Sequence, residues 1–208
     1  MAGPLLSLSV SQLLDAFASN DPLPAGGSAA ALTGALGASV LLMVATLPRT
    51  RSGAADEATL LATAAVRLRA LREELASLVQ RDTDAYASLL DALRSPRGTD
   101  AERARRQDGI AAAIRLATDT PLATMRAARA ALRDAVVLAN HGSGAAGGDV
   151  AAAAELLRAT VRAAGCSVAS NLAALKAGGY VEQVDEERRT LERDAATDAD
   201  RVRDLLRT

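Results

Sequence analysis

The strongest pattern in the chain is a run of uncharged residues that extends from position 22 to position 48. It reads PLPAGGSAAALTGALGASVLLMVATLP, so it begins with prolines and glycines and ends at a proline. Within residues 29–47 only Gly34 and Gly37 disfavour a helix, at about 1 kcal/mol each. The run therefore predicts one long helix that is apolar on every side.

A helix of this kind needs an apolar environment around its whole circumference. One alternative is a membrane anchor, since about 20 uncharged residues suffice to span a bilayer. The other is the central helix of a soluble bundle, which the composition favours because aromatic residues and a basic flank are missing at its ends. Ala30, Gly34 and Ala38 recur at four-residue spacing. Such a ridge lets neighbouring helices approach closely.

Periodic apolar residues predict further helices on both sides of this one. A short helix covers about residues 9–19, where Ser9 and Gln12 form a capping box and Leu13, Leu14 and Phe17 form the buried face. A long helix covers about residues 56–94. Its two heptad lines are Leu61, Leu68, Leu75, Asp82 and Leu89, and Ala64, Leu71, Leu78, Ala85 and Ala92.

Three more helices are predicted in the second half of the chain. The fourth starts with a capping box at Thr99 and Glu102, and Pro121 is expected to kink or divide it. Arg126, Arg129 and Arg133 share one face of it and indicate a solvated surface. The fifth begins at Asp149 and the sixth at about residue 182. The fold class predicted is all-α, a bundle of about six helices around the central small-residue helix.

Composition limits the functions that the chain can have. Its 208 residues suit a single domain, 1–208, and the 1% aromatic content agrees with helices that pack through small side chains. A net charge of −1 gives no electrostatic support for nucleic-acid binding. With one cysteine and one histidine, neither a disulfide nor a metal site is expected. The first ten residues do not resemble a signal peptide, so a cytoplasmic location is expected.

Asp82 is the sharpest candidate for chemistry, because it occupies a position that its heptad line otherwise fills with leucine. A carboxylate in an apolar seam acquires a raised pKa, which suits a general base. The structural alternative is a core ion pair or a residue that sets helix register. Asp149 is a weaker candidate, since an Asp before a helix is commonly an N-cap. The segment Gly26–Ser28 offers backbone N–H groups to an anion, and Ser28 can cap the long helix.

Several of these motifs resemble the cyclodeaminase domain of formiminotransferase-cyclodeaminase and the related bacterial methenyltetrahydrofolate cyclohydrolases. That family has a pattern like P-T-P-G-G-G-S before a small-residue helix that ends in M-V-A, and a basic pair usually follows. It also has an Asp with an aromatic residue four positions later, a proline inside the fourth helix, a loop ending in Ser-Asp at the start of the fifth helix, and an N-x-x-x-N-L pattern. The matching residues here are Pro22, Pro24, Gly26, Gly27 and Ser28; Met43, Val44 and Ala45; Arg49 and Arg51; Asp82 and Tyr86; Pro121; Asp149; and Asn171 and Leu172.

The resemblance implies an all-helical homodimer that binds folate without a metal or other cofactor. It implies conversion of 5-formiminotetrahydrofolate to 5,10-methenyltetrahydrofolate with loss of ammonia, or hydrolysis of the methenyl form to 10-formyltetrahydrofolate. Asp82 and Asp149 would be catalytic. The residues that would bind substrate are Gly26, Gly27, Ser28, Arg49, Arg51, Tyr86 and Asn171. No nucleic-acid or membrane partner is implied.

Some positions depart from the family pattern. Ala25 stands in place of the first glycine of the triplet, and Ser167 in place of the first Asn of the late motif. A second hypothesis is therefore a non-catalytic helical binding or scaffold protein with the same fold, and a third is the membrane-anchored protein described above. Folate binding separates the first two hypotheses, and behaviour without detergent separates the third.

Overall fold

The structure, a computed structural model, describes residues 4–207 and contains six α-helices there. These helices are α1 Val10–Ala18, α2 Gly26–Ala45, α3 Ala55–Arg94, α4 Asp100–His141, α5 Gly147–Ala173 and α6 Gly179–Leu206. Short 3₁₀ turns lie at Leu5–Ser7 and Gly144–Ala146. No β-strand occurs in the described part of the chain, where Thr50 and Gly142 form an isolated bridge. The predicted all-α bundle of about six helices is confirmed.

Helices α2, α3, α4 and α5 form the centre of the bundle. Each packs along two neighbours in the order α2, α3, α4, α5 and back to α2, and α6 covers the groove between α4 and α5. Because consecutive helices of this ring are antiparallel, the N-terminus of α2 lies beside the second half of α3 and the last turns of α5. The small helix α1 places Leu13 against Leu78 and Val79 of α3, whereas Leu14, expected to be buried, is 63% exposed.

Helix α2 approaches its neighbours closely through its small residues. A Cβ atom on Gly37 would lie 2.9 Å from Cγ of Leu157 in α5, and one on Gly34 would lie 2.9 Å from the Thr160 side chain. Among the described residues, α2 is the one helix long and apolar enough to cross a membrane. Ten of its 20 residues are nevertheless buried inside the bundle. It is therefore a core helix, as its small-residue ridge predicts.

Pro121 does not divide α4, which continues without a break from Asp100 to His141, and a kink at this proline stays a prediction. The expectation for the arginine face needs correction. The arginine face of its second half is a docking surface as well as a solvated one, because it holds α6. Arg126 donates two hydrogen bonds to Glu187, at 2.6 and 2.7 Å, and Arg129 lies 3.2 Å from Asp194.

A buried ion pair that the apolar pattern did not indicate joins α3 to α4. Asp134 is 3% exposed, and Arg67 donates to both of its carboxylate oxygens, with Nε 3.0 Å from Oδ1. The Arg67 side chain is itself 49% exposed, so it carries the charge of the pair out to solvent. Loss of the arginine would leave a buried carboxylate without its counter-charge.

We expect Arg67→Met to lower the free energy of unfolding by about 1–3 kcal/mol. This is less than the loss typical of a fully buried ion pair, because solvent around the exposed Arg67 side chain weakens the interaction. Arg72→Met, on an exposed position of the same helix, is the matched control and should change stability by less than about 0.5 kcal/mol. Urea unfolding at one fixed protein concentration measures both. Equal effects would show that the pair adds nothing to stability.

Candidate functional site

A cleft of about 300 Å³ opens where α2 begins. Its walls come from the N-terminus of α2, the second half of α3, the middle of α4 and the end of α5. The lining residues are Ala25, Gly26, Gly27, Asp82, Tyr86, Ala117, Cys166, Ser167, Ser170 and Asn171. Five of the residues predicted for the site, Gly26, Gly27, Asp82, Tyr86 and Asn171, are therefore brought together here from three separate helices.

Asp82 lies directly against the first turn of α2. A Cβ atom on Gly27 would be 2.6 Å from both the Cγ and the Oδ2 atoms of Asp82, so only glycine leaves room for this carboxylate. The Ser28 hydroxyl donates to Oδ2 of Asp82 at 3.0 Å and lies 2.9 Å from Oγ1 of Thr83. Ser28 was predicted as a possible helix cap, but the cap position is Ala25 and the Ser28 side chain instead orients Asp82.

Burial raises the pKa of Asp82 above the ordinary aspartate value, and hydrogen bonds from the hydroxyl and backbone N–H of Ser28 oppose that shift. A raised pKa means that the folded protein holds this proton more tightly than the unfolded chain does. The Asp82 contribution therefore favours folding at low pH and is lost as the pH rises through the folded pKa. A carboxyl group in this state can take a proton from water and later return it.

Asn171 of α5 supplies the hydrogen bond that Pro121 of α4 cannot give to its own helix. Proline has no N–H, so the carbonyl of Ala117, four residues earlier, has no helical donor. The Nδ2 atom of Asn171 donates to that carbonyl at 2.7 Å. This bond fixes the amide at the end of α5 and leaves its Oδ1 atom as the group with which a ligand can pair.

Three further wall residues, Cys166, Ser167 and Ser170, were not assigned to a site from the sequence. They belong to the α5 turns just before Asn171, and Cys166 is an exposed free thiol. The available signal was helical spacing: Ser167 lies four positions before Asn171 and Cys166 four positions before Ser170, so each pair shares a face of α5. Ser167, noted as a departure from the family motif, thus occupies a position that faces the cleft.

Arg49, Arg51 and Asp149 do not lie in this cleft. Arg49 and Arg51 follow the far end of α2, about 30 Å from Gly26 at 1.5 Å per residue. Asp149 is exposed in the first turn of α5, about 33 Å along that helix from Asn171. Arg49 and Arg51 were predicted to bind substrate together with the Gly26 turn, but within a single chain the length of α2 separates them from that turn.

Hydrogen bonds fix the connection between α2 and α3 that contains Arg51. Arg51 donates from its backbone to the carbonyl of His141 at 2.8 Å and from its guanidinium to that of Ala139 at 2.6 Å. The Ser52 backbone N–H and the Thr50 hydroxyl lower the pKa of Glu57 to about 2. Arg51 therefore ties the α2–α3 connection to the end of α4.

Within residues 4–207, no three His, Cys, Asp or Glu side chains stand close enough together to hold a metal ion. Catalysis without a cofactor remains a prediction for this chain.

The fold and the cleft define a class of protein: an all-helical bundle with a half-buried carboxylate at the N-terminus of a glycine-rich core helix. The chain belongs to the formiminotransferase-cyclodeaminase family, whose model matches residues 9–190. It is 30% identical over 174 residues to a methenyltetrahydrofolate cyclohydrolase of Methylorubrum extorquens, with 84% of each chain covered.

Two further relatives agree with this assignment. The chain is 28% identical over 149 residues to a chicken formimidoyltransferase-cyclodeaminase, of which it spans 28%. Its fold matches the crystal structure of a formiminotetrahydrofolate cyclodeaminase from Thermotoga maritima with a TM-score of 0.87, at 22% identity and with 98% of both chains covered.

We expect Gly27→Ala and Gly26→Ala to differ sharply although they are adjacent. The new methyl group at position 27 collides with the Asp82 carboxylate, whereas nothing lies within 4 Å of a Cβ at position 26. Gly27→Ala should destabilise the fold by about 1–3 kcal/mol through overpacking. Gly26→Ala should be neutral or stabilising by up to about 1 kcal/mol. Thermal unfolding of the two variants compares them, and similar melting temperatures would contradict the close approach of Gly27 to Asp82.

Proposed function

We propose that the chain is an enzyme of folate one-carbon metabolism that hydrolyses 5,10-methenyltetrahydrofolate to 10-formyltetrahydrofolate. The observation on which this proposal rests is the Asp82 carboxylate, which lines the cleft and accepts a hydrogen bond from Ser28. Burial raises the pKa of this carboxyl group. Family membership and the cyclohydrolase relative support the choice of substrate.

The methenyl carbon belongs to an amidinium-like cation that bridges N5 and N10 of the folate. Asp82 stabilises this cation by its negative charge and accepts a proton from the water that attacks the carbon. Asp82 then gives the proton to N5 as the bond between N5 and the tetrahedral carbon breaks, which restores the carboxylate. The hydroxyl proton of that carbon is released to solvent as its oxygen becomes the formyl C=O on N10.

Loss of ammonia from 5-formiminotetrahydrofolate is the second candidate reaction. Here N10 attacks the formimino carbon, and the leaving amine departs as ammonia after it receives a proton. The specific observation that favours it is again the raised pKa of Asp82, which lets the same group hold the proton needed by a leaving amine. Both reactions use one carboxyl group on one folate carbon.

Gly26, Gly27, Tyr86 and Asn171 are assigned to substrate binding because they line the same cleft as Asp82. Ser28 acts through Asp82 and is a positioning residue. Asp149, at the opposite end of α5, takes no catalytic role within a single chain.

A direct assay decides between the two reactions and the non-catalytic alternative. Purified protein is mixed with 5,10-methenyltetrahydrofolate, and loss of the methenyl absorbance is followed; formation of that absorbance and of free ammonia is followed with the formimino substrate. Folate binding with neither reaction would favour the scaffold hypothesis over the enzyme.

Asp82→Asn should keep the fold and lower kcat by about 10²–10⁴-fold, because an amide cannot accept the proton of the attacking water. Asp84→Asn is the matched control, since Asp84 is exposed on the same turn of α3, and it should retain wild-type turnover. Circular dichroism confirms that both variants are folded. An active Asp82→Asn enzyme would remove Asp82 from the mechanism.

The rate of the hydrolysis should rise with pH as Asp82 loses its proton. Because the pKa of Asp82 lies above the ordinary 3.8 of an aspartate, the acid limb of the profile should also lie above that value. The limb should disappear in whatever activity Asp82→Asn retains. This profile is part of the same test and distinguishes a base from a group that only positions substrate.

We also propose a cytoplasmic homodimer that forms through α2. The face of α2 that the bundle leaves uncovered is apolar: Leu36 is 55% exposed and Met43 44% exposed, and the half-buried Leu32 and Val40 continue the stripe at helical spacing. An exposed apolar stripe of this kind is typical of an interface. A two-fold axis across α2 would cover the stripe with its own copy.

Leu36→Glu should convert the dimer to a monomer, because it places a charge at the centre of the stripe. Leu93→Glu is the matched control: Leu93 is 45% exposed but lies near the end of α3, about 16 Å along the helix beyond Asp82. Light scattering of detergent-free protein measures the mass of each. A monomeric wild-type protein would refute the dimer.

A further inference from the structure

A second cleft, of about 460 Å³, lies between the first half of α4 and the turn that joins α5 to α6. Its apolar wall includes Ile110, Ile114 and Leu175, and its charged and polar wall includes Arg115, Lys176 and Tyr180. Asp108 is the acidic residue that lines it. The cleft can therefore hold a ligand that is partly apolar and partly anionic.

This cleft and the Asp82 cleft are lined by successive turns of α4 and α5. On α4, Ala117 lines the first cleft and Ile114, one turn earlier, lines the second. On α5, Asn171 lines the first, and Leu175, one turn later and just past the helix, lines the second. Ala117 and Ile110, which line the two clefts, are about 10 Å apart along α4.

The two cations of the second cleft, Arg115 and Lys176, form no ion pair with the described carboxylates. Lys176 is the single lysine in the chain, and neither it nor Arg115 has a carboxylate partner within ion-pair distance among residues 4–207. The Arg115 guanidinium lies over the Tyr180 ring, 5.2 Å from its centroid.

Tyr180 holds this arrangement in place. Its hydroxyl donates to Oδ1 of Asp119 at 2.8 Å, which ties the start of α6 to α4. Burial and the Asp119 carboxylate raise the pKa of Tyr180 to about 12, so the hydroxyl stays neutral and does not compete with an anionic ligand for Arg115. The ring thereby fixes the guanidinium beside the apolar wall of the cleft.

The substrate class of the proposed function has the matching chemistry. Beyond its reacting ring system, a folate carries a p-aminobenzoyl group followed by a glutamate with two carboxylates. Arg49 and Arg51, the cations that the sequence predicts to bind substrate, stand at the far end of α2 from Asp82. Arg115 and Lys176 line the cleft that neighbours the Asp82 cleft along α4 and α5.

We propose that the second cleft binds the p-aminobenzoyl-glutamate tail of the substrate, with the aryl ring against Ile110 and Ile114 and the carboxylates paired with Arg115 and Lys176. This assignment rests on the proposed function, because it takes its ligand from it. The tail would bind apart from the reacting carbon. Arg115 and Lys176 therefore affect the affinity for the substrate and not the rate of the chemical step.

The test compares two ligands that differ in the tail. Calorimetry measures binding of tetrahydrofolate and of tetrahydropteroate, which lacks the glutamate, to the wild-type protein and to Lys176→Met and Arg115→Met. Each substitution should weaken tetrahydrofolate binding by about 5- to 20-fold, as expected for loss of one charge-assisted contact. Tetrahydropteroate binding should change by less than about two-fold in both variants.

Turnover of 5,10-methenyltetrahydrofolate is measured in parallel. The same variants should raise KM by a similar factor and leave kcat within about two-fold, because the tail contact is equal in the ground state and the transition state. Arg72→Met is the matched control for loss of a surface charge, because Arg72 lines neither cleft. It should change neither the affinity for tetrahydrofolate nor that for tetrahydropteroate.

Each outcome has one meaning. Unchanged tetrahydrofolate affinity in both variants overturns the proposal, and so does a loss that appears with Arg49→Ala instead, since the tail would then bind at the other end of α2. Charge-dependent tetrahydrofolate binding in a protein that turns over neither folate would support the tail site and refute the enzymatic function. A wild-type protein that binds no folate would overturn both.

Discussion

The close approach of α2 to α3 and α5 is the constraint on which the rest of the molecule depends. Glycines and alanines on α2 bring its backbone within contact distance of side chains such as Leu157 and Thr160. Larger residues would push the helix outward and would separate its first turn from α3. The dispersion energy of this close packing and the geometry of the site therefore have the same origin.

The candidate site lies where α2 begins, partway along the bundle. Helix α3 continues beyond Asp82 to Arg94 and α4 begins at Asp100, well before Ala117, so the corner beyond the first turn of α2 is open to a ligand. Asp82 lies at the base of that corner, where Gly27 allows the carboxylate to enter and Ser28 holds it. An ordinary leucine at position 82 would be compatible with the heptad seam, which explains why the carboxylate stands out in the sequence.

Local patterns predicted the helices and the central residue of the site, because a heptad with one charged member can be read directly along α3. Asp134 escaped that reading, since α4 is buried along two ridges and the carboxylate lies on the alanine-rich one with Ala127 and Ala131. The sequence also did not reveal that Arg51 lies far from Gly27. A family motif does not specify the distance between its residues, and here the full length of α2 lies between these two.

The pairing of Pro121 with Asn171 has a consequence for how such a chain changes over evolutionary time. If the proline is replaced first, the new backbone N–H satisfies the Ala117 carbonyl and the amide of Asn171 is released without harm to α4. If the asparagine is lost first, that carbonyl has no donor while the proline remains. The two substitutions therefore have an order, and the proline keeps Asn171 under selection even in a descendant that no longer binds a ligand.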